Sequence, residues 1–261
     1  MTVIHMGIAI TGIEAAARAA GAKIMEIYET DFEARAKDDA SPVTDADEAA
    51  EAIILKALAE LHPDIPVVAE ESAAAGNIPD VGTGSFWLVD PLDGTKEFLK
   101  RNGEFTVNIA LIEDRAPVMG VVYLPAKDTL YSGIVGHGAM KQVGDGDKVA
   151  IGVRPPPMEG LTVVGSRSHG DPAEMEKFLD GRKVADIKSA GSSLKFCLVA
   201  EGEADVYPRL GRTMEWDVAA GHAVLAAAGG MVTTADGGPF GYAKNAVFEN
   251  PHFVAWGGLR P

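Results

Sequence analysis

Two aspartates, Asp90 and Asp93, follow an apolar run at residues 86–89 and have the spacing of a cation site. The run is typical of a strand covered on both faces, and because Pro91 cannot donate to a β-ladder we expect strand pairing to stop there. Gly94 allows a positive φ or a close approach of the backbone to a ligand. Carboxylates placed three apart across such a turn can converge on one hard cation such as Mg²⁺. An ordinary β-turn whose aspartates bond their own backbone explains the same residues equally well.

Other acids stand where predicted strands end or predicted helices begin. Glu70 and Glu71 follow a short strand predicted at residues 65–68, and because strand side chains alternate we expect only one of them on the core side. Asp47 lies where one helix begins, and Asp217 opens another. Capping or solvation is the ordinary role of each acid by itself, whereas α/β proteins build their sites at such boundaries.

The composition is that of a globular chain with a strong acidic excess. Of 261 residues, 47% are hydrophobic and 23% are charged, and the formal net charge is −15. This length can hold one large α/β domain or two packed subdomains. A nucleic-acid backbone needs a basic surface, so the charge argues against nucleic acid as a bulk partner. A phosphate-bearing substrate requires local cations that override the acidic field.

Cysteine use and the first residues bear on the compartment. The single cysteine, Cys197, cannot form an internal disulfide, fits a reducing cytoplasm and is expected to be buried among apolar neighbours. No run of eighteen apolar residues occurs, so a membrane-spanning helix is not expected. Glu14 and Arg18 interrupt the N-terminal stretch and no basic segment leads it, which disfavours a signal peptide. Peripheral association with the inner face of the cell membrane stays compatible with the sequence.

The first half of the chain must position most of these acids. Helical spacing predicts amphipathic helices over residues 6–28 and 48–61, and of the two candidate N-caps of the second helix, Thr44 and Asp45, we favour Asp45. Apolar, β-branched runs separated by turn signals then predict an antiparallel meander. The predicted meander strands are residues 104–112, 118–123, 129–135 and 139–143.

The second half alternates strands with helices, which is the pattern of an α/β unit. The predicted strands are residues 161–164, 204–207 and 231–234, and the predicted helices are residues 172–179, 194–200 and 218–228. A polar stretch and the proline run at 154–157 separate the halves. We therefore expect an N-terminal subdomain at 1–155 with the acidic motifs and a C-terminal subdomain at 156–261.

Three short motifs together resemble a known family. They are Glu70-Glu71-Ser72, Asp90-Pro91-Leu92-Asp93-Gly94-Thr95 and Trp216-Asp217-Val218-Ala219-Ala220-Gly221. The chain resembles the inositol monophosphatase superfamily of Mg²⁺-dependent, lithium-sensitive phosphatases. Within it, the chain is similar to the CysQ-type 3'(2'),5'-bisphosphate nucleotidases, because the match extends through residues 96–98, 101–110, 166–169 and 191–197. The resemblance covers nearly the whole chain.

This resemblance implies a fold, an activity and a metal cofactor. The fold would be a layered α-β-α-β-α sandwich, and the activity would be hydrolysis of adenosine 3',5'-bisphosphate to AMP and phosphate, which serves sulfur assimilation and nucleotide recycling. The implied cofactor is Mg²⁺, two or three ions, in a cytoplasmic monomer or homodimer. The implied metal ligands are Glu70, Asp90, the Leu92 carbonyl, Asp93 and Asp217. Thr95 and Asp47 would orient and deprotonate the attacking water, assisted by Glu70.

The same resemblance implies which residues hold the nucleotide. They are Glu70, Leu92, Asp93, Gly94, Thr95, His169, Ser192, Lys195, Arg209 and Asp217. Lys195 and Arg209 are cations suited to the phosphate that is not cleaved, and Lys37 would help to position a water. With the family set aside, His169 is equally well explained as a capping residue and Lys195 as a solvated helix residue.

Other functions stay open on the sequence alone. An inositol or other sugar monophosphatase would use the same metal ligands and differ in the substrate residues of the second half, and fructose 1,6-bisphosphate is a less favoured substrate. A noncatalytic module that binds metal or nucleotide is a different class of protein. It is disfavoured because every implied ligand and the Asp47 and Thr95 pair are present.

Overall fold

The computed structural model describes residues 3–30, 35–36, 42–166 and 172–259. Its helices are α1 Val3–Tyr28, α2 Asp45–Leu61, α3 Glu70–Ala74, α4 Thr95–Leu99, α5 Pro172–Leu179, α6 Leu194–Ala200 and α7 Glu215–Ala227, with a 3₁₀ turn at Pro125–Lys127. Its strands are β1 Arg35–Ala36, β2 Pro42–Val43, β3 Val67–Ala69, β4 Phe86–Asp93, β5 Thr106–Glu113, β6 Ala116–Leu124, β7 Thr129–Ile134, β8 Gly138–Val143, β9 Val149–Ile151, β10 Leu161–Ser166, β11 Val184–Ala190, β12 Val206–Arg209, β13 Met231–Thr234 and β14 Phe253–Trp256.

The larger sheet is built from the first half of the chain. Its order is β3-β4-β5-β6-β7-β8-β9, with β3 parallel to β4 and each later pair antiparallel. The predicted meander is therefore confirmed as β5 to β8, because alternating β-branched runs and turn signals are local features. Strand β9 was not predicted, since it is three residues long and mostly exposed.

The smaller sheet is built from the second half and has the order β11-β10-β12-β14-β13. Strand β10 pairs parallel to β11 and β12, whereas β14 pairs antiparallel to β12 and β13. The predicted alternation of strands and helices is confirmed for β10, β12, β13 and helices α5 to α7. Strand β11 went unpredicted because it is largely exposed and lacks a continuous apolar run. Strand β14 was also not predicted, although its four residues are buried and form a continuous apolar run.

Three apolar cores lie between five layers of structure, and the central core covers both faces of the middle helical layer. Helices α1 and α2 pack on the outer face of the larger sheet, through Ile13 and Ile54 against Trp87. Helices α6 and α7 lie between the two sheets, where Phe196 and Val224 share one core. Helix α5 covers the outer face of the smaller sheet. The layered α-β-α-β-α sandwich is thereby confirmed, and Cys197 is buried in its central core.

The expectation that pairing stops at Pro91 is wrong. Asp90 pairs with Asn108, Asp93 pairs with Thr106, and the register shifts between these two pairs. This irregularity accommodates Pro91, which has no N–H to donate, and lets the ladder resume two residues later. Both aspartates therefore belong to β4, and the irregularity sets the direction in which each points.

Helix starts near the site also differ from expectation. Thr44, not Asp45, is the N-cap of α2, because the Thr44 hydroxyl accepts from Ala46 N–H at 3.2 Å. Glu70 and Glu71 do not alternate across a strand, since α3 begins at Glu70. Buried Glu51 of α2 accepts from the backbone N–H of Glu71 at 2.7 Å and so satisfies this helix start.

The boundary between the two halves of the chain lies between the two sheets. The larger sheet ends at Ile151 and the smaller sheet begins at Leu161, while the two-subdomain division at residue 155 stays a prediction.

None of the helices in the described part of the chain combines the length and the apolar character that crossing a bilayer requires.

Candidate active site

Four acids from three separate elements converge at the carboxyl ends of β3 and β4. These strands are parallel and Ala69 is in register with Val89, so Glu70 emerges beside Asp90. The side chains of Asp90 and Glu70 are hydrogen-bonded to each other. Asp93 lies on the same strand, and Asp217 in the first turn of α7 is close enough to interact electrostatically with Asp90 and Asp93. The fold thus gathers residues that are far apart in sequence.

Burial and mutual repulsion raise the pKa of two of these acids, Asp90 and Asp217, well above the ordinary value. The pKa of Asp90 is raised well above its ordinary value, first by burial and then by the charges of Glu70, Asp93 and Asp217. Burial, Asp93 and Glu70 raise the pKa of Asp217 in the same way, although Met214 N–H donates to its carboxylate at 2.9 Å. Buried acids that repel one another require a compensating positive charge if they are to be ionised together.

Asp93 is better compensated than its neighbours. Burial raises its pKa to about 6, against the opposing effects of the Lys195 ammonium and the Ser193 backbone N–H. The Thr106 hydroxyl and the Asn108 amide each donate to Asp93 Oδ2 at 3.4 Å. These two side chains extend from β5, the strand paired with β4, so the sheet itself orients the carboxylate.

The donor set fits a hard divalent cation. In the structure as described, no three acidic, histidine or cysteine side chains already enclose a common point at metal-binding distance. The donors are nevertheless carboxylate and carbonyl oxygens, which Mg²⁺ prefers, and the buried acids require a positive charge. The chemistry of the donors present therefore fits a magnesium ion.

Asp47 and Thr95 meet beside this acidic group. The Thr95 hydroxyl lies 3.3 Å from Asp47 Oδ1 and 3.4 Å from the Leu92 carbonyl oxygen. The other carboxylate oxygen of Asp47, Oδ2, accepts from the backbone N–H of Thr44 at 2.8 Å and from its hydroxyl at 2.7 Å. Asp47 therefore both completes the capping box of α2 and reaches the site, so the two roles considered from the sequence coexist.

A cleft of about 450 Å³ opens over the acids between the two halves of the chain. Of the predicted site residues, those lining the cleft are Glu70, Asp93, Gly94, Thr95, Ser192, Lys195, Arg209 and Asp217. Asp90, Leu92 and Asp47 do not line it and are each about 1% exposed. Gly94 has φ 91°, as expected, and is the N-cap of α4. His169 and Lys37 lie outside the described residues.

Two buried cations also line the cleft. Lys195 is 5% exposed, so it is not a solvated helix residue, and its ammonium donates to the Ser192 carbonyl oxygen at 2.6 Å. Burial lowers the pKa of Lys195 to about 8, while the charge of Asp93 opposes this shift. Arg209 is also buried, at 8% exposed, and donates to the Arg212 carbonyl oxygen at 2.9 Å.

Ser192 joins the two halves at the floor of the cleft. It has φ 47°, and its hydroxyl reaches the carbonyl oxygens of Asp93 at 2.8 Å and Glu104 at 2.6 Å. The backbone N–H of Gly191 donates to Glu104 Oε2 at 2.9 Å. The segment that precedes α6 is thereby tied directly to β4, the strand that carries Asp90 and Asp93.

Sequence reasoning missed several residues of the cleft wall. They are Glu97, Tyr207, Arg212, Thr213, Met214 and Trp216. Trp216 belongs to a recognised motif, and its position beside Asp217 was a usable signal. Glu97 lies within the matched residues 96–98, whereas the other four carry no local signal. They come from β12 and from the segment before α7, and only the tertiary fold brings them to one cavity.

Comparison with known proteins gives one consistent relationship. Residues 8–257 match the model of the inositol monophosphatase family. The chain is 47% identical over 239 residues to the 3'(2'),5'-bisphosphate nucleotidase CysQ of Escherichia coli K12, covering 91% of this chain and 95% of that protein. Its fold is similar to CysQ from Bacteroides thetaiotaomicron, with TM-score 0.81, 39% identity and coverage of 97% and 98% of the two chains. An inositol monophosphatase from Anabaena (Nostoc) sp. PCC 7120 gives TM-score 0.76 and 27% identity, over 97% of this chain and 92% of that one.

Proposed function

Because this chain belongs to the inositol monophosphatase family, we propose that it is a Mg²⁺-dependent, lithium-sensitive phosphatase that hydrolyses adenosine 3',5'-bisphosphate to AMP and phosphate. The observation that carries this proposal is a cleft lined both by half-buried carboxylates and by two buried cations. The carboxylates suit a metal and the reacting phosphate. Lys195 and Arg209 suit a second phosphate on the same substrate.

The acidic residues would hold the metal. Glu70, Asp90, Asp93, Asp217 and the Leu92 carbonyl supply oxygen donors, and their mutual repulsion favours binding of a divalent cation. Mg²⁺ bound there supplies positive charge that neutralises the phosphoryl oxygens and makes water easier to deprotonate. Two or three ions per active site is the number that we propose.

Thr95 and Asp47 would activate the attacking water. When the Thr95 hydroxyl donates to Asp47 Oδ1, its oxygen is free to accept a proton from water. As the water proton passes to Thr95, the hydroxyl proton passes to Asp47. The water oxygen then bonds to phosphorus, the bond from phosphorus to the ribose 3'-oxygen breaks, and that oxygen takes up a proton from a second, solvent water molecule as it leaves.

The two buried cations of the cleft would recognise the nucleoside end of the substrate. Lys195 and Arg209 are held by backbone carbonyls, so their charges are positioned before substrate arrives. Ser192 and Gly94 line the cleft between the cations and the acids. His169 is proposed as a further contact on the basis of the family resemblance.

An inositol or other sugar monophosphatase is the alternative, favoured by the similarity to a solved inositol monophosphatase. Phosphate release should be measured side by side from adenosine 3',5'-bisphosphate and inositol 1-phosphate, with Mg²⁺ and with or without millimolar Li⁺. We expect strong preference for the nucleotide, lithium inhibition, and loss of turnover in Asp90→Asn. Preference for inositol 1-phosphate would support the alternative, and metal binding without turnover of either substrate would indicate a noncatalytic module.

Compartment and assembly are proposals of the same kind. The single buried cysteine supports a cytoplasmic enzyme, and nucleic acid is not expected as a partner at a net charge of −15. We propose a monomer or homodimer that associates peripherally with the inner face of the membrane. Size-exclusion chromatography tests the oligomeric state, and vesicle flotation tests the membrane association.

A further inference from the structure

The start of α7 is held by hydrogen bonds to a chain segment that does not line the cleft. Residues 240–250, which we name the clamp segment, lie beside the first turn of this helix. The backbone N–H of Glu215 donates to the Phe248 carbonyl oxygen at 2.7 Å, and Met214 forms an antiparallel bridge with Glu249. Asp217, one of the proposed metal ligands, sits two residues after Glu215.

An ion pair between a buried carboxylate and a half-buried ammonium forms the centre of this attachment. Glu215 is 0% exposed, and its Oε1 lies 2.7 Å from the Lys244 ammonium. Its Oε2 accepts from the backbone N–H of Ala243 at 2.6 Å. The same ammonium donates to the carbonyl oxygen of Gly241 at 2.5 Å and to Asn250 Oδ1 at 3.1 Å.

Asn250 connects this ion pair to Met214, the residue that orients Asp217. Its amide donates to the Met214 carbonyl oxygen at 2.6 Å. The Met214 backbone N–H in turn donates to Asp217 Oδ2 at 2.9 Å. An unbroken set of hydrogen bonds therefore runs from Lys244 through Asn250 and Met214 to Asp217.

We propose that Glu215, Lys244 and Asn250 are positioning residues that hold Asp217 in the geometry required for metal binding. Loss of the Lys244 charge leaves a buried Glu215 carboxylate without its counter-ion, and the helix start must then move to hydrate it. Metal ligands depend on such supporting contacts, and their removal typically lowers metal affinity about 10–100-fold. The role of Asp217 as a ligand rests on the proposed function, whereas the hydrogen bonds do not.

The test measures Mg²⁺ binding by calorimetry on the intact protein without substrate, together with kcat and the melting temperature. We expect Lys244→Met to raise the Mg²⁺ dissociation constant at least about tenfold. Glu215→Gln, which keeps the shape and one acceptor, should raise it less, and it serves as the test if Lys244→Met does not fold. The double variant should bind Mg²⁺ more tightly than Lys244→Met alone, because no buried charge is left unpaired.

A matched pair elsewhere in the molecule separates positioning from stability. Lys141 lies 2.6 Å from Glu201 and over the Tyr131 ring, as Lys244 lies over Phe240. We expect Lys141→Met to lower the melting temperature without changing the Mg²⁺ dissociation constant. Equal Mg²⁺ affinity in Lys244→Met, Glu215→Gln and wild type would overturn the inference. Mg²⁺ binding is measured without substrate, so it tests this inference independently of whether the wild type hydrolyses nucleotides.

Discussion

Thr95 Oγ1 lies 3.3 Å from Asp47 Oδ1, although the two residues are 48 positions apart in the chain. Their contact joins the first turn of α2 to the first turn of α4, which follows β4 directly. The pair therefore stands at the edge of the acidic group, where a water attacking a phosphate would need a proton acceptor. The predictions below begin with this contact.

Asp47→Asn should lower kcat by about 10²–10⁴-fold, because an amide cannot take the proton that Thr95 passes on. The substitution keeps the size of the side chain and an oxygen that can accept from Thr44. Steady-state kinetics on adenosine 3',5'-bisphosphate measure the effect. Asp45→Asn, at an exposed position two residues earlier, is the control and should leave kcat unchanged. A kcat for Asp47→Asn within about threefold of wild type would remove the proposed base.

Substrate selectivity should depend on the two buried cations. Lys195→Ala and Arg209→Ala should each reduce kcat/KM for adenosine 3',5'-bisphosphate by about 10–100-fold, because a charge-assisted contact to the second phosphate is lost. Activity on a monophosphate should change far less. Lys96→Ala is a suitable control, since Lys96 lines the cleft but is exposed. Equal losses on both substrates would contradict a role in selectivity.

Folding stability should fall in mild acid because of His222. Burial, with a smaller effect of the Lys244 charge, lowers the pKa of His222 to about 3, and its Nδ1 lies 2.9 Å from the Tyr242 hydroxyl. The unfolded state binds the proton at about pH 6.5 and the folded state only near pH 3, so the neutral histidine stabilises the fold above pH 6.5. This contribution is lost between pH 6.5 and 3, by about 1 kcal/mol per pH unit.

Urea unfolding of wild type and His222→Asn measures this effect. The free-energy difference between the two should shrink as the pH falls from 7 to 4, since asparagine does not titrate. Comparing the variants at each pH removes the contribution of the acids with raised pKa, which is common to both. A difference that stays constant with pH would refute the assignment to His222.

The seating of α7 on the larger sheet should not tolerate a side chain at Gly120. A Cβ there would lie 2.6 Å from the Ala220 carbonyl oxygen and 2.7 Å from Ala223 Cβ. Gly120→Ala should therefore destabilise the protein by about 1–3 kcal/mol and lower its activity, because α7 carries Asp217. Thermal unfolding and kinetics check both. Gly84→Ala, where nothing lies within 4 Å of the new Cβ, should be neutral.

Local features of the sequence predicted most of the elements. The meander β5 to β8, the start of α5 at Pro172 and the positive φ of Gly94 were all expected, because alternation, proline and glycine act within a few residues. Where the prediction failed, a contact from another element decided the outcome. Glu51 of α2 stabilises the first turn of α3 by accepting from the Glu71 N–H, and β5 pairs with β4 beyond Pro91.

The sequence by itself determined which chemical groups are present and, through three short motifs, the family to which they belong. Only the tertiary structure decided that Glu70 emerges beside Asp90, that Lys195 is buried with its charge, and that Lys244 pairs with Glu215. These relationships depend on how β3 pairs with β4 and on how α6 and α7 pack between the two sheets. Spacing along the chain cannot encode them, because the distance between two side chains in different elements is set by packing and not by sequence separation.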